Sequence, residues 1–357
     1  MSAAALPAIC LVSELPPPPG GMAIQAKLLG DGLRGQGHVV LNAATNALAH
    51  DSPLRRVKGL RGAVNLLLYL ARLGPACRKA DCVHVFSNSY LSFFLFTFPA
   101  VALGRMLRKR IVVHYHGGSA ERFLDRWYWA ARWALARADV LAVPSGFLAA
   151  VFGRRGIDTV QVPNILPLAA LPFRRRSPLR PRVIMSRHLE HDYNIACGIR
   201  AFAQLGERFG TATLVIAGDG RERAALAALV RALGLEGRVT FVGNVENERM
   251  GALYDEADIF LNSSRVDNQP VSILEAFACG LPVVTTAVGG IPHMVTDGVD
   301  ALTAADDDAP GLAARMCALL EDPMLAGRIA ENARARVDAY AWPRIYELYR
   351  GIYRIPA

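Results

Sequence analysis

The sequence predicts an α/β protein with two Rossmann-like, doubly wound domains. Short apolar strands alternate with amphipathic helices along both halves of the 357-residue chain, which is typical of parallel sheets covered by helices. A basic, proline-rich stretch without hydrophobic periodicity, PFRRRSPLRP, lies between the two halves. The hydrophobic content of 52% is sufficient to bury two cores of ordinary size.

The first half begins with an apolar strand, AICLV, then a proline- and glycine-rich loop and a helix from about Met22 to Gly35. Further strands are predicted within HVVLN, CVHVF, RIVVHYHG and DVLAVPS, and VPNI would close the sheet. The apolar run Leu91–Leu103 has thirteen residues, whereas roughly twenty span a bilayer. We therefore expect a first domain over residues 1–172, with that run as a core or interfacial segment.

The second half repeats the alternation of strand and helix. Strands within RVIMS, TLVIAG, RVTFVG and DIFLNSS alternate with helices predicted near 195–209, 221–233 and 248–256. Residues 173–181 are interpreted as a linker and 182–342 as the second domain. The final helix, within 343–357, has apolar residues at helical spacing and could pack back across the linker toward the first domain.

The most informative segment is NSSRVDNQPVSILEAFACGLPVVTT, residues 262–286. Its pattern is a strand, a polar loop, Pro270 suited to a first helical turn, an apolar helix and a second strand. Asp267 would lie in the loop and Glu275 on the helix, at the carboxyl end of a strand, where open parallel sheets bind ligands. A carboxylate there can accept hydrogen bonds from both hydroxyls of a vicinal diol.

The charge is divided unevenly along the chain. Residues 1–176 hold 22 Lys+Arg against 8 Asp+Glu, whereas residues 177–357 hold 18 against 23. An anionic partner is implied for the first half, and nucleic acid and a lipid surface both qualify. We favour an anionic membrane over nucleic acid, because basic residues alternate with bulky apolar ones in Phe93–Arg110 and Arg126–Asp139. The alternative is a basic solvated surface over ordinary core helices.

The cysteine and lysine positions exclude several classes of site. Six scattered cysteines without a C-x-x-C pair, and no recognisable signal peptide, indicate reduced thiols, no zinc site and a cytoplasmic chain, peripheral to the inner face of the membrane if it binds there. All four lysines lie in the first half. A Schiff-base lysine in the second domain, as a pyridoxal-dependent phosphorylase needs, is therefore excluded.

Two Rossmann-like domains facing each other across a cleft, a Gly-Gly loop after the first strand and a late D-x7-E loop resemble the GT-B glycosyltransferases of family 4. The resemblance covers nearly the whole chain. In that family the second carboxylate of an E-x7-E motif binds the nucleotide ribose and the first contacts the donor sugar. Glu275 and Asp267 match these positions. Arg187, at the end of RVIMS, matches the arginine that holds the diphosphate, but the lysine expected five residues later is Asp192.

The resemblance also implies the roles of other residues. The catalytic candidates are His116, Asp267 and Arg187, and the acceptor-side candidates are His84, Asn88 and Ser89. Backbone amides at helix starts and glycine turns would complete the donor site. The full donor-binding set is Gly20, Gly21, Arg187, Gly218, Gln269, Pro270, Val271, Ser272, Glu275, Gly289 and Gly290.

The expected reaction is transfer of a sugar from a nucleotide-diphosphate sugar to a saccharide or lipid-linked acceptor in bacterial polysaccharide biosynthesis. The resemblance implies retention at the anomeric carbon, with no metal or other cofactor and with the departing phosphate taking the acceptor proton. Two alternatives remain open. One is a nucleotide-sugar epimerase of the same architecture, and the other is a catalytically silent scaffold of a polysaccharide-assembly complex, suggested by Asp192 and by Asp267 in place of glutamate.

Overall fold

The computed structural model describes residues 6–16, 20–46, 48 and 60–355. The chain forms two compact units, one from the residues up to Ile165 together with those from Trp342 onward, and one from Leu166–Ala341. Each unit contains a six-stranded parallel sheet flanked by helices. The prediction of two doubly wound α/β domains is confirmed.

The first unit contains strands β1–β6 in the spatial order β2-β1-β3-β4-β5-β6. Its strands are β1 Ile9–Ser13, β2 Val40–Ala44, β3 Cys82–Ser87, β4 Arg110–Tyr115, β5 Val140–Val143 and β6 Val160–Gln161. Its helices are α1 Gly21–Gly35, α2 Leu60–Lys79, α3 Phe98–Met106, α4 Ala120–Leu135 and α5 Gly146–Gly153, with the C-terminal helix described below. The central strands β1 and β3 are buried on both faces, as expected when helices cover both sides of a parallel sheet.

The second unit contains strands β7–β12 in the spatial order β12-β11-β10-β7-β8-β9. The strands are β7 Arg182–Ser186, β8 Thr213–Ala217, β9 Val239–Gly243, β10 Ile259–Asn262, β11 Val283–Thr286 and β12 Leu302–Ala304. The helices are α6 Ile195–Arg208, α7 Arg223–Ala232, α8 Asn247–Glu256, α9 Val271–Ala278, α10 Ala309–Glu321 and α11 Pro323–Arg336. In α6, Ile195, Ile199, Phe202 and Leu205 recur at helical spacing and are fully buried.

Each sheet has a point where the direction of winding reverses. In the first sheet β1 lies beside β3, and in the second β7 lies beside β10. The loops after such neighbouring strands diverge to opposite faces and leave a crevice at the carboxyl edge of the sheet. The residues after β7 and β10 therefore meet at one place in the second unit.

The apolar run after β3 is a partly buried helical segment. Phe93–Thr97 form one π-helical turn that continues into α3, with Pro99 near the start of α3. Proline is tolerated there because the first amides of a helix have no intrahelical acceptor. Within the described ranges, no helix has both the length and the apolar character needed to cross a membrane.

The structure corrects the interpretation of residues 173–181 as a free linker. Leu171 lies in the core of the second unit, and the guanidinium of Arg176 is buried and donates to the backbone carbonyls of Tyr254, Ala257 and Cys279. The buried carboxylate of Asp258 lies 2.8 Å from Arg180 Nε and 3.1 Å from Arg174 Nη2. Because Asp258 pairs with these arginines, the proline-rich segment is held against the second unit. The boundary between the two units falls earlier in the sequence, at Ile165.

The final helix is α12, Trp342–Tyr353, and it belongs to the first unit. Ile345, Tyr349, Ile352 and Tyr353 are buried in one cluster with residues of β1 and α1. The Tyr353 hydroxyl lies 2.8 Å from His84 Nδ1, and the Tyr349 hydroxyl lies 3.3 Å from His114 Nδ1. Both imidazoles are fully or almost fully buried, and burial lowers the pKa of His84 to about 3 and that of His114 well below its ordinary value.

We predict that Asp258→Ala destabilises the second unit by about 3–5 kcal/mol, because it leaves the buried guanidinium of Arg176 without its counter-charge and removes the buried partner of Arg174 and Arg180. The four tryptophans, Trp127, Trp129, Trp133 and Trp342, all lie in the first unit. Circular dichroism should therefore show an earlier loss of secondary structure, while the tryptophan-fluorescence transition keeps its midpoint. The control is Asp255→Ala, since Asp255 is half exposed and pairs only with Arg174. Equal destabilisation by Asp258→Ala and Asp255→Ala would contradict the role of Asp258 as the counter-charge of these arginines.

We predict that the first unit loses stability as pH falls below about 6.5. His84 and His114 are neutral when folded, whereas the unfolded chain takes up their protons, so their contribution is complete above the unfolded pKa and is lost as pH falls toward the lowered folded pKa, which is about 3 for His84. At about pH 5 His84 should cost about 2 kcal/mol, and protonation of His114 in the unfolded chain adds to this loss. Tryptophan-monitored urea unfolding measures this loss. His84→Gln should reduce the pH dependence, and the exposed-site variant His188→Gln should leave it unchanged.

Candidate active site

Arg187 and Asp267 form an ion pair at the reversal point of the second sheet. Arg187 directly follows β7, Asp267 lies in the loop after β10, and Arg187 Nη2 is 2.5 Å from Asp267 Oδ2. The Arg187 Nε also lies 3.3 Å from Asn262 Oδ1, and its guanidinium is 5.2 Å from the centre of the Tyr193 ring. Both charged side chains are largely buried, with exposures of 13% and 11%. The pair joins the two loops that the sheet topology brings together.

The environment of Asp267 acts on its pKa in two directions. Burial raises the pKa of Asp267, whereas the charge of Arg187 and the amide of Asn268 lower it. The carbonyl of Asp267 accepts a 2.8 Å hydrogen bond from the amide of Gly290. The loop is therefore fixed at both its side chain and its backbone.

Gly289 and Gly290 allow a close approach of two loops. A Cβ at Gly289 would lie 2.2 Å from the carbonyl oxygen of Asp267, and a Cβ at Gly290 would lie 1.7 Å from that of Asn268. Glycine is required at both positions by this contact. In this structure the amide of Gly290, predicted to help bind the donor, donates to the carbonyl of Asp267.

Glu275 on α9 is held by a tyrosine that the sequence analysis did not identify. The hydroxyl of Tyr254, from α8, donates a 2.7 Å hydrogen bond to Glu275 Oε2, and the Tyr254 side chain is fully buried. Burial raises the pKa of Glu275, while the bond from Tyr254 and the charge of Arg187 lower it. The bond leaves Oε1 of this carboxylate for another partner. A tyrosine in an otherwise polar helix, four residues before the buried Asp258, was the available signal.

The start of α9 presents polar groups beside these carboxylates. Gln269 and Pro270 are buried, Val271 is the first helical residue, and the buried hydroxyl oxygen of Ser272 has no hydrogen-bond partner among the described residues. The free amides of a helix N-terminus favour an anion, to which a serine hydroxyl can also donate. This arrangement fits a phosphate oxygen.

Gly218 supports Arg187 from the neighbouring strand. It follows β8 with a φ of 137°, and a Cβ there would lie 1.9 Å from the carbonyl oxygen of Arg187. The amide of Arg187 donates a 3.0 Å hydrogen bond to Ala217, so the two strand ends are tightly coupled. Gly218, which was predicted to bind the donor, therefore contacts the backbone of Arg187.

Asp192 occupies the position of the expected lysine and is exposed. Its carbonyl accepts a 2.8 Å hydrogen bond from the amide of Arg265, whose guanidinium lies 3.2 Å from Asp307. The loop after β7 is thereby attached to the loop after β10 at a second point.

In the first unit, the glycines after β1 are not crowded. Gly20 precedes α1 in an extended conformation with a φ of −131°, and a Cβ built at Gly20 or Gly21 would meet no atom within 4 Å. Packing within this part of the described chain therefore does not require glycine at either position. The space beside them is open to a ligand.

The structure brings His116, Asn88 and Ser89 together after β3 and β4. A Cβ at Gly117 would lie 2.5 Å from Ser89 Oγ and 2.8 Å from Asn88 Oδ1. Asn88 is exposed, whereas Ser89 is buried with its hydroxyl 2.7 Å from the Tyr115 hydroxyl. His116 stacks on Phe86 at 5.0 Å; burial lowers its pKa to about 3, and its Nε2 has no partner among the described atoms. His116 is therefore a neutral imidazole with one hydrogen-bonding position unused.

His84 is corrected as an acceptor-side candidate. Its side chain has no exposed surface and is packed between Phe86, His114, Tyr349 and Tyr353. The residues of α12 that cover it lie 265 or more positions later in the sequence, beyond what local pattern shows.

Two family models match consecutive parts of the chain. The model described as Glycosyltransferase Family 4 matches residues 19–170, and that described as Glycosyl transferases group 1 matches residues 173–336. Among curated relatives, glycogen synthase of Mycobacterium tuberculosis is 27% identical over 282 residues, 75% of this chain and 67% of that protein. N-acetyl-alpha-D-glucosaminyl L-malate synthase of Bacillus anthracis is 33% identical over 156 residues, 43% of this chain and 40% of that protein.

Solved structures show the same fold at low sequence identity. HepE of Anabaena in complex with UDP-glucose has a TM-score of 0.73 at 20% identity, covering 97% of this chain and 100% of that one. Sucrose-phosphate synthase from Thermosynechococcus elongatus also has a TM-score of 0.73, at 21% identity, covering 98% and 100%. The family models together account for nearly all of both units, so the chain is a glycosyltransferase of family 4 with the GT-B fold.

Proposed function

We propose that the second unit binds a nucleotide-diphosphate sugar and that the enzyme transfers the sugar, with retention and without a metal, to a saccharide acceptor. The proposal rests mainly on the observation that Arg187 and Asp267 pair at the reversal point of one sheet, with Glu275 near enough for the charge of Arg187 to lower its pKa. The expected cation, sugar-facing carboxylate and ribose-facing carboxylate are thus close together and partly accessible. HepE, a relative in fold, was solved with UDP-glucose, and other relatives are named glycosyltransferases.

In this proposal the ligand replaces the contacts that the protein makes with itself. The diphosphate oxygens accept hydrogen bonds from the guanidinium of Arg187, the amides at the start of α9 and the hydroxyl of Ser272. Asp267, released from Arg187, accepts hydrogen bonds from hydroxyls of the donor sugar. Glu275 accepts the ribose hydroxyls through the oxygen that Tyr254 leaves free.

The proposed chemistry needs no protein base. The bond between the anomeric carbon and the departing diphosphate oxygen breaks, and a bond forms on the same face to an acceptor hydroxyl oxygen. The acceptor proton passes to the departing phosphate oxygen, giving nucleoside diphosphate and the glycoside. Arg187 and the helix N-terminus stabilise the charge that develops on the leaving group. Neutral His116, with Nε2 unused, would orient a sugar hydroxyl.

The first unit has a surface suited to a lipid-linked acceptor at the cytoplasmic face of a membrane. Aromatic rings of α4 and of the π-helical turn before α3 form a connected row. The ring centroids lie 5.9 Å apart for Phe94 and Trp127 and 6.5 Å apart for Trp127 and Trp129. Trp129 is 71% exposed, and Arg126 and Arg137 lie against neighbouring tryptophans. Exposed aromatics among arginines match the headgroup region of an anionic leaflet. This supports a role in polysaccharide biosynthesis on such an acceptor.

We predict that Glu275→Ala and Arg187→Ala each weaken donor binding at least about tenfold, because each removes charge-assisted hydrogen bonds of about 1.5–3 kcal/mol. The donor is first identified by thermal protection with a panel of UDP- and GDP-sugars, and its Kd is then measured by calorimetry. Glu248→Ala and Arg231→Ala are matched controls, since both residues are exposed on helices of the same unit. Unchanged affinity in both site variants would exclude this donor site. Conversion of donor without an acceptor would instead indicate an epimerase, and binding without transfer a scaffold.

We predict that Tyr254→Phe weakens donor binding and moves the acid limb of binding to higher pH. The Tyr254 bond lowers the pKa of Glu275, so its loss raises that pKa and protonates the carboxylate at a higher pH. Calorimetric Kd values across a pH series measure the shift. Both the loss of affinity and the pH shift caused by Tyr254→Phe should disappear with a donor whose ribose lacks the 2′- and 3′-hydroxyls. A pH-independent loss of affinity would mean that Tyr254 acts only through packing.

A further inference from the structure

A cationic cavity lies at the amino edge of the first sheet, opposite the edge that carries Asn88 and His116. It has a volume of about 380 Å³ and is bordered by residues at the starts of β3, β4 and β5 and by the end of α12. Five of the lining residues are basic: Arg105, Arg108, Lys109, Arg110 and Arg354. We refer to it as the amino-edge cavity.

The two acidic residues of the amino-edge cavity are already engaged by the backbone. Asp81 Oδ2 accepts a 2.8 Å hydrogen bond from the amide of Ala8, and Asp139 Oδ2 accepts a 2.7 Å bond from the amide of Ile111. The second oxygen of Asp139 is 3.4 Å from Arg105 Nη2. These carboxylates secure the starts of strands and offset only part of the positive charge.

The basic side chains keep donors for a ligand. Arg110 donates through Nε to the carbonyl of Ile352 at 2.6 Å, which leaves its two terminal nitrogens, and Lys109 donates one bond of 3.2 Å to the carbonyl of Arg78. The side chains of Arg108 and Arg354 form no ion pair or hydrogen bond with the described part of the chain. The cavity therefore has an excess of positive charge and unsatisfied guanidinium donors.

We propose that the amino-edge cavity binds a phosphate-type anion of at least two charges, separate from the donor site. Guanidinium groups match the oxygens of phosphate in a fork geometry, and several cations around one cavity favour a polyanion over a monocarboxylate. Two sources share this chemistry, a soluble diphosphate and the phosphate of a lipid headgroup. Met106, which lies between the lining residues Arg105 and Arg108 in sequence, is 79% exposed, and an exposed apolar side chain next to cations suits a lipid surface.

This inference goes beyond the proposed transfer reaction. The catalytic candidates lie at the carboxyl ends of strands, whereas this cavity lies at the amino ends of β3–β5. Replacement of Arg108 and Arg354 should therefore leave the rate of transfer between soluble substrates unchanged. Four of the basic residues in the first half of the chain thus lie together around this one cavity, with Arg354 from the C-terminal helix region.

The first test uses inorganic pyrophosphate as the soluble probe. Calorimetry on Arg187→Ala, which disables the proposed donor-phosphate contact, should still detect binding at the amino-edge cavity. Adding Arg108→Gln and Arg354→Gln should weaken that binding about thirtyfold, from the loss of two cations. Arg108→Lys with Arg354→Lys should weaken it less than the glutamine pair, because lysine keeps the charge but not the fork geometry. The control carries Arg231→Gln and Arg249→Gln, two exposed residues of the second unit.

The second test uses vesicles of phosphatidylcholine with and without phosphatidylglycerol, in a sedimentation assay. Selective loss of vesicle binding in the Arg108/Arg354 double glutamine variant supports a lipid headgroup, and selective loss of pyrophosphate binding supports a soluble diphosphate. If neither probe distinguishes this variant from the Arg231/Arg249 control while both melt like the unmodified protein, the proposal is overturned. Failure of Arg187→Ala to affect donor binding would count against the donor site alone.

Discussion

The ion pair between Arg187 and Asp267 is the interaction on which the arrangement of the second unit's site depends. Both side chains are largely withdrawn from water, so each needs an opposite charge or hydrogen bonds to remain ionised. A ligand that enters must therefore supply a negative group to the guanidinium and hydroxyl donors to the carboxylate at the same time. A sugar attached to a diphosphate carries both within one small molecule. The pair thus fixes the loops and also defines the chemistry that can separate them.

The backbone around this pair is built for close approach. Gly218 lies against the carbonyl of Arg187, and Gly289 lies against the carbonyl of Asp267, so each partner is supported by a glycine from a neighbouring loop. Tyr254 adds a third fixed point by holding Glu275. A rigid supporting layer of this kind keeps polar groups in a defined geometry before a ligand binds, which reduces the ordering that binding requires.

Local sequence patterns predicted the parts of the structure that depend on neighbouring residues. The helix expected near 195–209 is found at Ile195–Arg208, and the loop and helix around Asp267 and Glu275 follow the predicted strand–loop–helix order. Patterns failed where contacts are distant in sequence. The segment 173–181 was interpreted as a linker because its anchor, Asp258, lies about eighty positions away in sequence. His84 was an acceptor-side candidate because α12, which covers it, lies far later in the sequence. The role of Tyr254 depends on a hydrogen bond to Glu275, twenty-one residues later in the sequence.

The second unit is one continuous stretch of chain inserted into the first. Its two ends are held side by side, since the amide of Leu166 donates a 3.0 Å hydrogen bond to the carbonyl of Tyr340. A segment whose ends nearly touch can be exchanged between homologous proteins with two junctions and little disturbance of the host. After the second unit the chain returns to the first, where α12 packs into the core. Exchange of the second unit by recombination is therefore structurally simple in this architecture, provided that α12 stays with the first unit.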